Sequence, residues 1–211
     1  MPSPMKHIKM KNQLSDIFLR RHACHEFKAG LLLAPADLEF ILEAGRLSPS
    51  SFGLEQWKFL VLTSDEHKAA MQGACFQQPQ VGSASALVVI LAKLAELHPD
   101  HPYARKLLER EYPGIAFAPA LENYRGFHAI TDVKAWSTCQ CHIAAANMMT
   151  AAAGIGIDSC AIGGFLPDQV RALLDIDPEH YEVALVLALG VCAQAAGEKL
   201  RLPLRELAEY R

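Results

Sequence analysis

Three long apolar runs define the predicted sheet. They are Trp57 to Thr63 (WKFLVLT), Ala86 to Ala92 (ALVVILA) and Tyr181 to Gly190 (YEVALVLALG). Each run has the length of a strand, and none alternates between apolar and polar residues, which is typical of strands covered on both faces. The sequence therefore predicts a sheet that has helices packed on either side.

Helical segments with recognisable start signals lie around these runs. The expected helices run from Asn12 or Ser15 to about His22, from Pro35 to about Leu47, and from Ser64 to Cys75. Proline is tolerated in the first turn of a helix, and a serine hydroxyl caps free backbone N–H groups there. Residues 98–131 are rich in Pro, Gly, Tyr and Phe, and we expect a helix followed by a long irregular excursion, which often forms a lid.

The segment from Asp132 to Gly154 is apolar nearly all round, and it carries no formal charge after Lys134. A helix of this kind must be buried on all sides. A second copy of the chain would cover the side that one chain leaves open, so a homodimer is expected. The alternative is a central core helix in a monomer. Gly154 is expected to end this helix before a strand, rather than to open a dinucleotide-binding turn.

Composition narrows the classes of protein. The 211 residues are 51% hydrophobic, and 20 basic residues stand against 23 acidic ones, for a formal charge of -3. We expect a single domain over residues 1–211, with no nucleic-acid partner. No signal peptide or membrane span is evident, so a soluble cytoplasmic protein is expected. The six cysteines form no CxxC pair and are interpreted mostly as small buried hydrophobic residues, with Cys139 and Cys141 on different helix faces.

Cationic residues are the main candidates for chemistry. Arg20 and Arg21 are followed by His22 and His25, and Lys199 and Arg201 lie near the end of the chain. Each cluster alone can be solvated surface or a helix C-terminal charge, but together they would suit a phosphate group, which arginine binds through paired hydrogen bonds. No nucleophile elbow, Walker loop or metal-ligand spacing occurs, so no metal is expected.

Six blocks of sequence follow one another in a characteristic order. They are RRHACHEF (20–27), LSPSSFGLEQWKF (47–59), FQQPQVGSASALVVIL (76–91), GIDSCAIGGF (156–165), YEVALVLALG (181–190) and KLRLP (199–203). Together they resemble the nitroreductase family of FMN-dependent NAD(P)H oxidoreductases, across nearly the whole chain. The resemblance implies an α+β nitroreductase-like fold, with a mixed central β-sheet flanked by helices, in an intertwined homodimer that holds two FMN sites at its interface.

The resemblance also implies which residues meet the cofactor. Those expected to bind FMN are Arg20, Arg21, His22, Ala23, His25, Ser50, Ser51, Gln77, Gln80, Gly163, Gly164, Lys199 and Arg201. Ser50 and Ser51 would reach the FMN held mainly by the other subunit. Ala23 and His25 stand where the family usually has Ser and Arg or Lys, and Gly53 and Gln56 stand where it usually has Asn and Pro. Tyr124 and Phe127 are the predicted aromatic residues of the substrate pocket, or else merely hold a loop in place.

The implied activity needs no catalytic side chain, because the flavin carries the electron chemistry. NAD(P)H would give hydride to flavin N5, and a nitroaromatic, quinone or similar acceptor would then take two electrons in a ping-pong cycle. Two alternatives stay open: an FMN store or sensor without turnover, and an enzyme of this fold with other flavin chemistry.

Overall fold

The computed structural model describes residues 4–211, so the first three residues of the predicted domain lie outside the described part. Its strands are β1 (Trp57–Leu62), β2 (Ala86–Lys93), β3 (Asp158–Ile162) and β4 (Tyr181–Gly190). They form one sheet in the order β1-β2-β4-β3. The three apolar runs are thus confirmed as strands, and the two longest of them lie at its centre.

Neighbouring strands in this sheet are all antiparallel. The prediction of a mixed sheet is therefore wrong for these four strands. The reason lies in the connections, since the chain that leaves β1 returns to the same end of the sheet to begin β2. A parallel pairing occurs only as an isolated bridge between Ala23 and Ser159 within the described residues.

Eight α-helices surround the sheet within residues 4–211. They are α1 (Pro4–Arg20), α2 (Pro35–Arg46), α3 (Asp65–Ala74), α4 (Pro79–Gly82), α5 (Pro102–Glu111), α6 (Phe117–Ile130), α7 (Val133–Gly154) and α8 (Pro167–Leu174). As predicted, the Ser64 side chain caps α3 by accepting from the His67 N–H. The first helix begins earlier than predicted, because residues 5–11 contain no Gly or Pro to interrupt it.

Both faces of the sheet are buried, as the apolar runs indicated. Along β2, Leu87, Val89 and Leu91 join the core beneath α3 and α8, whereas Val88 and Ile90 join the core beneath α2 and α7. Side chains alternate between the faces of a strand, so an unbroken apolar run supplies both cores at once. A register shift between Ile90 and Leu91 marks a bulge in the pairing with β4.

A third apolar cluster joins α5, α6 and the 3-10 turn Ser51–Gly53. The predicted irregular excursion after the first helix of this region is wrong, because residues 117–130 form α6. Its apolar side, which includes Leu121 and Tyr124, packs on the cluster. The aromatic residues that suggested an irregular loop are instead packed in this cluster.

One side of the long helix α7 packs against the sheet. Cys141, Ala144 and Met148 are buried there, while Cys139 and Ile143 are exposed on the other side. The alternative of a core helix enclosed by its own chain is therefore wrong, and the two neighbouring cysteines do face different ways. None of the helices in the described residues combines the length and the apolar character that a membrane span needs.

Candidate functional site

The segment after α1 is placed beside the C-terminal segment by backbone hydrogen bonds. The Cys24 N–H donates to Ser159 O over 3.1 Å, the Lys28 N–H to Val191 O over 2.8 Å, and the Ala193 N–H to Glu26 O over 2.9 Å. Residues 20–28 therefore lie alongside β3 and the chain that follows β4, and they extend the edge of the sheet. This arrangement brings the two predicted cationic clusters together from opposite ends of the sequence.

A cationic cavity of about 420 Å³ lies between these segments. Arg21, Lys199 and Arg201 line it, together with Gly197, Glu198 and Leu200. Glu198 is the acidic residue at its wall, so the positive charges outnumber the negative one. The cavity suits a ligand that carries two negative charges, such as a phosphate monoester.

Lys199 is held at this wall by two carbonyl groups. Its Nζ donates to Phe18 O over 2.6 Å and also to Arg21 O. An ammonium group has three N–H donors, which leaves one to point at a ligand. Desolvation lowers the pKa of Lys199, and the nearby charges of Arg21 and Arg201 lower it further. A bound anion would offset this mutual repulsion.

One ring nitrogen of His22 lacks a hydrogen-bond partner within the described residues. Its Nδ1 lies 3.2 Å from Arg20 O and 4.0 Å from Asp158 Oδ1. Its Nε2 is buried and finds no hydrogen-bond partner among the described residues. Leaving such a group unpaired costs about 1–3 kcal/mol. His22 itself is one of the residues that line the cationic cavity.

The remaining residues of this segment line two adjoining cavities. Arg20 lies with Lys28 and Asp158 in one of about 400 Å³, and His25 lies with Pro79 in one of about 420 Å³. Ala23 lines the cationic cavity and the one that contains His25. All five predicted residues of the segment therefore face one continuous region of the surface.

A chain of amide groups connects the loop before α4 to the loop after β3. Gln78 Nε2 donates to Gly164 O over 2.8 Å and to Cys75 O over 2.9 Å. Gln78 Oε1 accepts from Gln80 Nε2 over 2.9 Å. Sequence reasoning missed Gln78, since no pattern in the sequence indicates that its amide joins two loops.

This amide chain changes the predicted role of Gln80. Gln80 is 6% exposed and its Nε2 donates to Gln78 Oε1, so in this arrangement Gln80 holds Gln78 in place, and its contact with a cofactor edge stays a prediction. Gln77 is exposed instead, and both Phe76 and Gln77 have left-handed backbones, with φ of 56° and 59°. Non-glycine residues rarely adopt this conformation, which is concentrated at ligand sites.

Gly163 and Gly164 leave the backbone after β3 open to a ligand. A Cβ at Gly163 would meet nothing within 4 Å, and a Cβ at Gly164 would meet Gln78 Nε2 at 3.5 Å. Both residues are exposed. Their backbone can therefore be approached closely.

Ser50 and Ser51 lie in a different part of the fold from the cationic cavity. The Ser51 N–H donates to Gln140 Oε1 over 2.9 Å, and Ser50 Oγ accepts from the Glu55 N–H over 3.0 Å. The end of α1 instead packs near Gly154, at the far end of α7. Residues 140 and 154 are about 21 Å apart along a helix that rises about 1.5 Å per residue. Within one chain, these serines are not brought to the cationic cavity.

The predicted aromatic residues of the substrate pocket prove to be core residues. Tyr124 is fully buried and its hydroxyl donates to Leu97 O, so its assignment to the pocket is wrong. Phe127 is half-buried, and its ring packs 5.1 Å from those of Phe52 and Trp136. An open apolar cavity of about 340 Å³ lies close by instead, with Phe52, Tyr112 and Asn123 in its wall.

Metal ligands are not grouped in the described part of the chain: no three His, Cys, Asp or Glu residues come together there. The polar groups that converge are cations, amides and open backbone. They are donors, and they match an anionic organic ligand rather than a cation.

Comparison with known proteins decides the family. The model of the Nitroreductase family matches residues 19–191. The chain belongs to this family. Among its relatives, "Putative NAD(P)H nitroreductase YfkO" of Bacillus subtilis (strain 168) is 32% identical, and the alignment covers 95% of this chain and 98% of that protein. The nitroreductase fold expected from the sequence is confirmed.

Solved nitroreductase structures share the fold. A nitroreductase-like protein from Streptococcus mutans has a TM-score of 0.85 at 21% identity, over 96% of this chain and 99% of that one. A nitroreductase from Exiguobacterium sibiricum 255-15, solved in complex with FMN, has a TM-score of 0.79 at 22% identity, over 94% and 97%. At these identities the likeness concerns the fold alone.

Proposed function

We propose that this nitroreductase-family chain binds FMN and uses NAD(P)H to reduce a small acceptor by two electrons. The observation that carries the proposal is the cavity in which Arg21, Lys199 and Arg201 converge beside the unpaired Nε2 of His22. The names of relatives such as the Bacillus subtilis protein agree with this activity.

The residues present fit FMN. Arg21, Lys199 and Arg201 would hold its phosphate through charge-assisted hydrogen bonds, each worth roughly 1.5–3 kcal/mol. His22 would use its unpaired ring nitrogen on the ribityl or phosphate oxygens. The exposed Gln77 and the open backbone at Gly163 and Gly164 would meet the ring system.

FMN, when bound, supplies two-electron transfer from a nicotinamide to an acceptor. The protein's share is to orient and to stabilise. Donors around the site favour negative charge, because fixed dipoles and cations need no reorganisation when charge develops. The Gln80–Gln78–Gly164 hydrogen-bond chain holds the two loops that face the site at a fixed separation. Since the donor and the acceptor would use one open face in turn, ping-pong kinetics are expected.

A homodimer is part of the proposal, because one chain leaves the site incomplete. Ser50 and Ser51 lie too far from the cationic cavity of their own chain, as the length of α7 shows, and so would serve the site of a second copy. Exposed apolar residues support such a partner. In α1 these are Ile8, Met10, Leu14, Phe18 and Leu19, and in the C-terminal segment they are Leu200, Leu202, Leu204 and Leu207.

The acceptor would be small and flat. The apolar cavity beside Phe52 replaces Tyr124 as the candidate wall for it, and nitroaromatics or quinones would suit such a wall. Its residues lie in the same part of the fold as Ser50 and Ser51. In a dimer, therefore, the acceptor side of each site would come from the partner.

One spectroscopic experiment tests this function. Purified protein reconstituted with FMN should be yellow, and anaerobic NAD(P)H should bleach the flavin absorbance within seconds, followed by recovery when menadione or a nitroaromatic is added. Protein that takes up no FMN would contradict the proposal entirely. Uptake of FMN without bleaching would favour an FMN store or sensor, and loss of intact FMN during turnover would favour other flavin chemistry.

A further inference from the structure

A disulfide joins the two segments that form the cationic cavity. Cys24 and Cys192 lie 168 residues apart in sequence, and their Sγ atoms are 2.21 Å apart. The interpretation of these two cysteines as buried hydrophobic residues is therefore wrong. Cys24 belongs to the segment after α1, and Cys192 follows β4 and begins the segment that leads to Lys199 and Arg201.

The two sulfur atoms differ in access. Cys24 is fully buried, whereas Cys192 is half-buried and lines both of the cavities that adjoin the cationic one. Several of the neighbouring wall residues are small, including Ala193, Ala195 and Gly197, so a small molecule can reach Cys192. Arg20, His22 and Lys28 line the same cavities and would attract a thiolate, which is the attacking form of a thiol.

The surroundings also accommodate the reduced pair. Glu26 O lies 3.1 Å from Cys24 Sγ and 3.6 Å from Cys192 Sγ. A thiol is a weak donor, so either cysteine could donate to this carbonyl once the bond between them is cleaved. Cleavage therefore does not force a buried thiol into an entirely apolar environment.

The disulfide also attaches the start of the C-terminal segment covalently to the segment after α1. Cys192 N donates to Asp158 Oδ2 and Ala193 N donates to Glu26 O, each over 2.9 Å. From residue 194 onward, the hydrogen bonds that tie the described segment to the rest of the chain are the two made by Lys199. Apart from Lys199, residues 193–201 are exposed.

We propose that Cys24–Cys192 is a thiol–disulfide exchange site for small thiols, and that its reduction loosens the segment that carries Lys199 and Arg201. A thiolate attacks Cys192 Sγ, the bond to Cys24 breaks, and Cys24 leaves with the electron pair and takes up a proton. A second thiolate then releases Cys192, which also takes up a proton. The products are two protein thiols and one oxidised small-molecule disulfide, so two electrons pass from the small thiols to the protein.

The consequence for FMN affinity rests on the function proposed above. If the loosened segment loses the equivalent of one charge-assisted hydrogen bond to phosphate, the Kd for FMN rises about tenfold. The exchange site itself does not depend on FMN. The two parts can therefore fail separately.

The test compares folded protein with and without dithiothreitol. Alkylation under native conditions followed by peptide mass analysis should modify Cys24 and Cys192 only after reduction. Hydrogen exchange at the amides of Cys192 and Ala193, which donate to Asp158 Oδ2 and Glu26 O, should become at least several-fold faster in the reduced protein, and the Kd for FMN should rise about tenfold. If the bond resists dithiothreitol in the folded protein, or exchange at the Cys192 and Ala193 amides is the same in both states, the proposal is overturned.

Two variants sharpen this comparison. Cys24→Ser/Cys192→Ser should behave like reduced protein whether or not dithiothreitol is present. Cys139→Ser removes an exposed free thiol and keeps the disulfide, so it should retain the full response. Should the double variant fail to fold, the two redox states of the wild type still decide. If neither state binds FMN while exchange differs between them, the exchange site stands and the proposed function fails.

Discussion

Lys199 Nζ donates to the carbonyl oxygens of Phe18 and Arg21, and so ties the C-terminal segment to the end of α1. The last carbonyls of a helix have no partner inside the helix, and a cation there also interacts favourably with the helix dipole. Arg201, in contrast, donates only to Leu200 O within the described residues. Lys199 and Arg201, which lie close together in the sequence, thus differ in their contacts: Lys199 ties the C-terminal segment to α1, whereas Arg201 bonds only its neighbour within the described residues.

This difference predicts different effects of substitution. Lys199→Ala should lower the free energy of unfolding by about 1 kcal/mol, through its two lost hydrogen bonds, and should also weaken FMN binding. Arg201→Ala should weaken FMN binding about tenfold or more and leave the stability of the apoprotein unchanged. Urea denaturation and flavin titration of both variants check this, and equal losses of stability would contradict it.

The half-buried Lys93 should give the protein a recognisable pH dependence. Lys93 Nζ donates to Glu55 O, Trp57 O and Tyr103 Oη over 2.7–2.8 Å. Burial lowers the pKa of Lys93 from 10.5 to about 8, against the opposing charge of Glu55. Between these two values the unfolded chain keeps a proton that the folded chain has lost, so the contribution of Lys93 to stability increases as pH rises. Below about pH 8 its contribution is constant.

Lys93→Met should remove this contribution. The three acceptors lose their donor, which should cost about 1–3 kcal/mol near neutral pH. The difference in unfolding free energy between wild type and variant should then change by roughly 1 kcal/mol per pH unit between pH 8 and 10.5, as measured by urea denaturation. Lys106→Met removes an exposed lysine from α5 and should keep the wild-type slope. An identical slope in Lys93→Met would contradict the prediction.

The buried position of Tyr124 predicts an effect on stability without an effect on catalysis. Tyr124→Phe removes the hydrogen bond to Leu97 O and should lower the unfolding free energy by about 1–2 kcal/mol. Because the ring does not face a cavity, kcat/KM for any acceptor should stay within about twofold. Tyr210→Phe, at a fully exposed position, is the control for stability. A large rise in KM for Tyr124→Phe would restore this residue to the substrate pocket.

Charge on the exposed face of α1 should dissociate the proposed dimer. Leu14 and Phe18 are 48% and 57% exposed in one chain, and a carboxylate buried there in an interface would have no partner. Leu14→Asp/Phe18→Asp should sediment as a monomer and should bind FMN poorly, since Ser50 and Ser51 of a second copy would be missing. Ile130→Asp, at an exposed apolar residue at the end of α6, should remain dimeric. A monomeric wild type would contradict the assembly.

Much of the site could be expected from local sequence. Arg21 and His22, the Gly163–Gly164 pair, and Lys199 with Arg201 lie in short blocks with a recognisable order, and the structure brings Arg21, His22, Lys199 and Arg201 to one cavity. Gln80 lies in one of these blocks and Tyr124 in the aromatic-rich segment 98–131, yet both side chains are used in hydrogen bonds inside the fold. Which way a side chain points depends on the neighbours that fold onto it, and those neighbours are distant in sequence.

The sequence by itself determined the positions of β1, β2 and β4, the bounds of α2, α3 and α7 to within about two residues, and the family, because these follow from local periodicity, capping residues and ordered blocks. Only the tertiary structure decided that all four strands are antiparallel, that Cys24 meets Cys192, and that Gln78 joins two loops. The Cys24–Cys192 contact spans 168 residues. No local pattern encodes a contact at that separation, because it depends on how the segments after α1 and β4 lie against each other and the sheet.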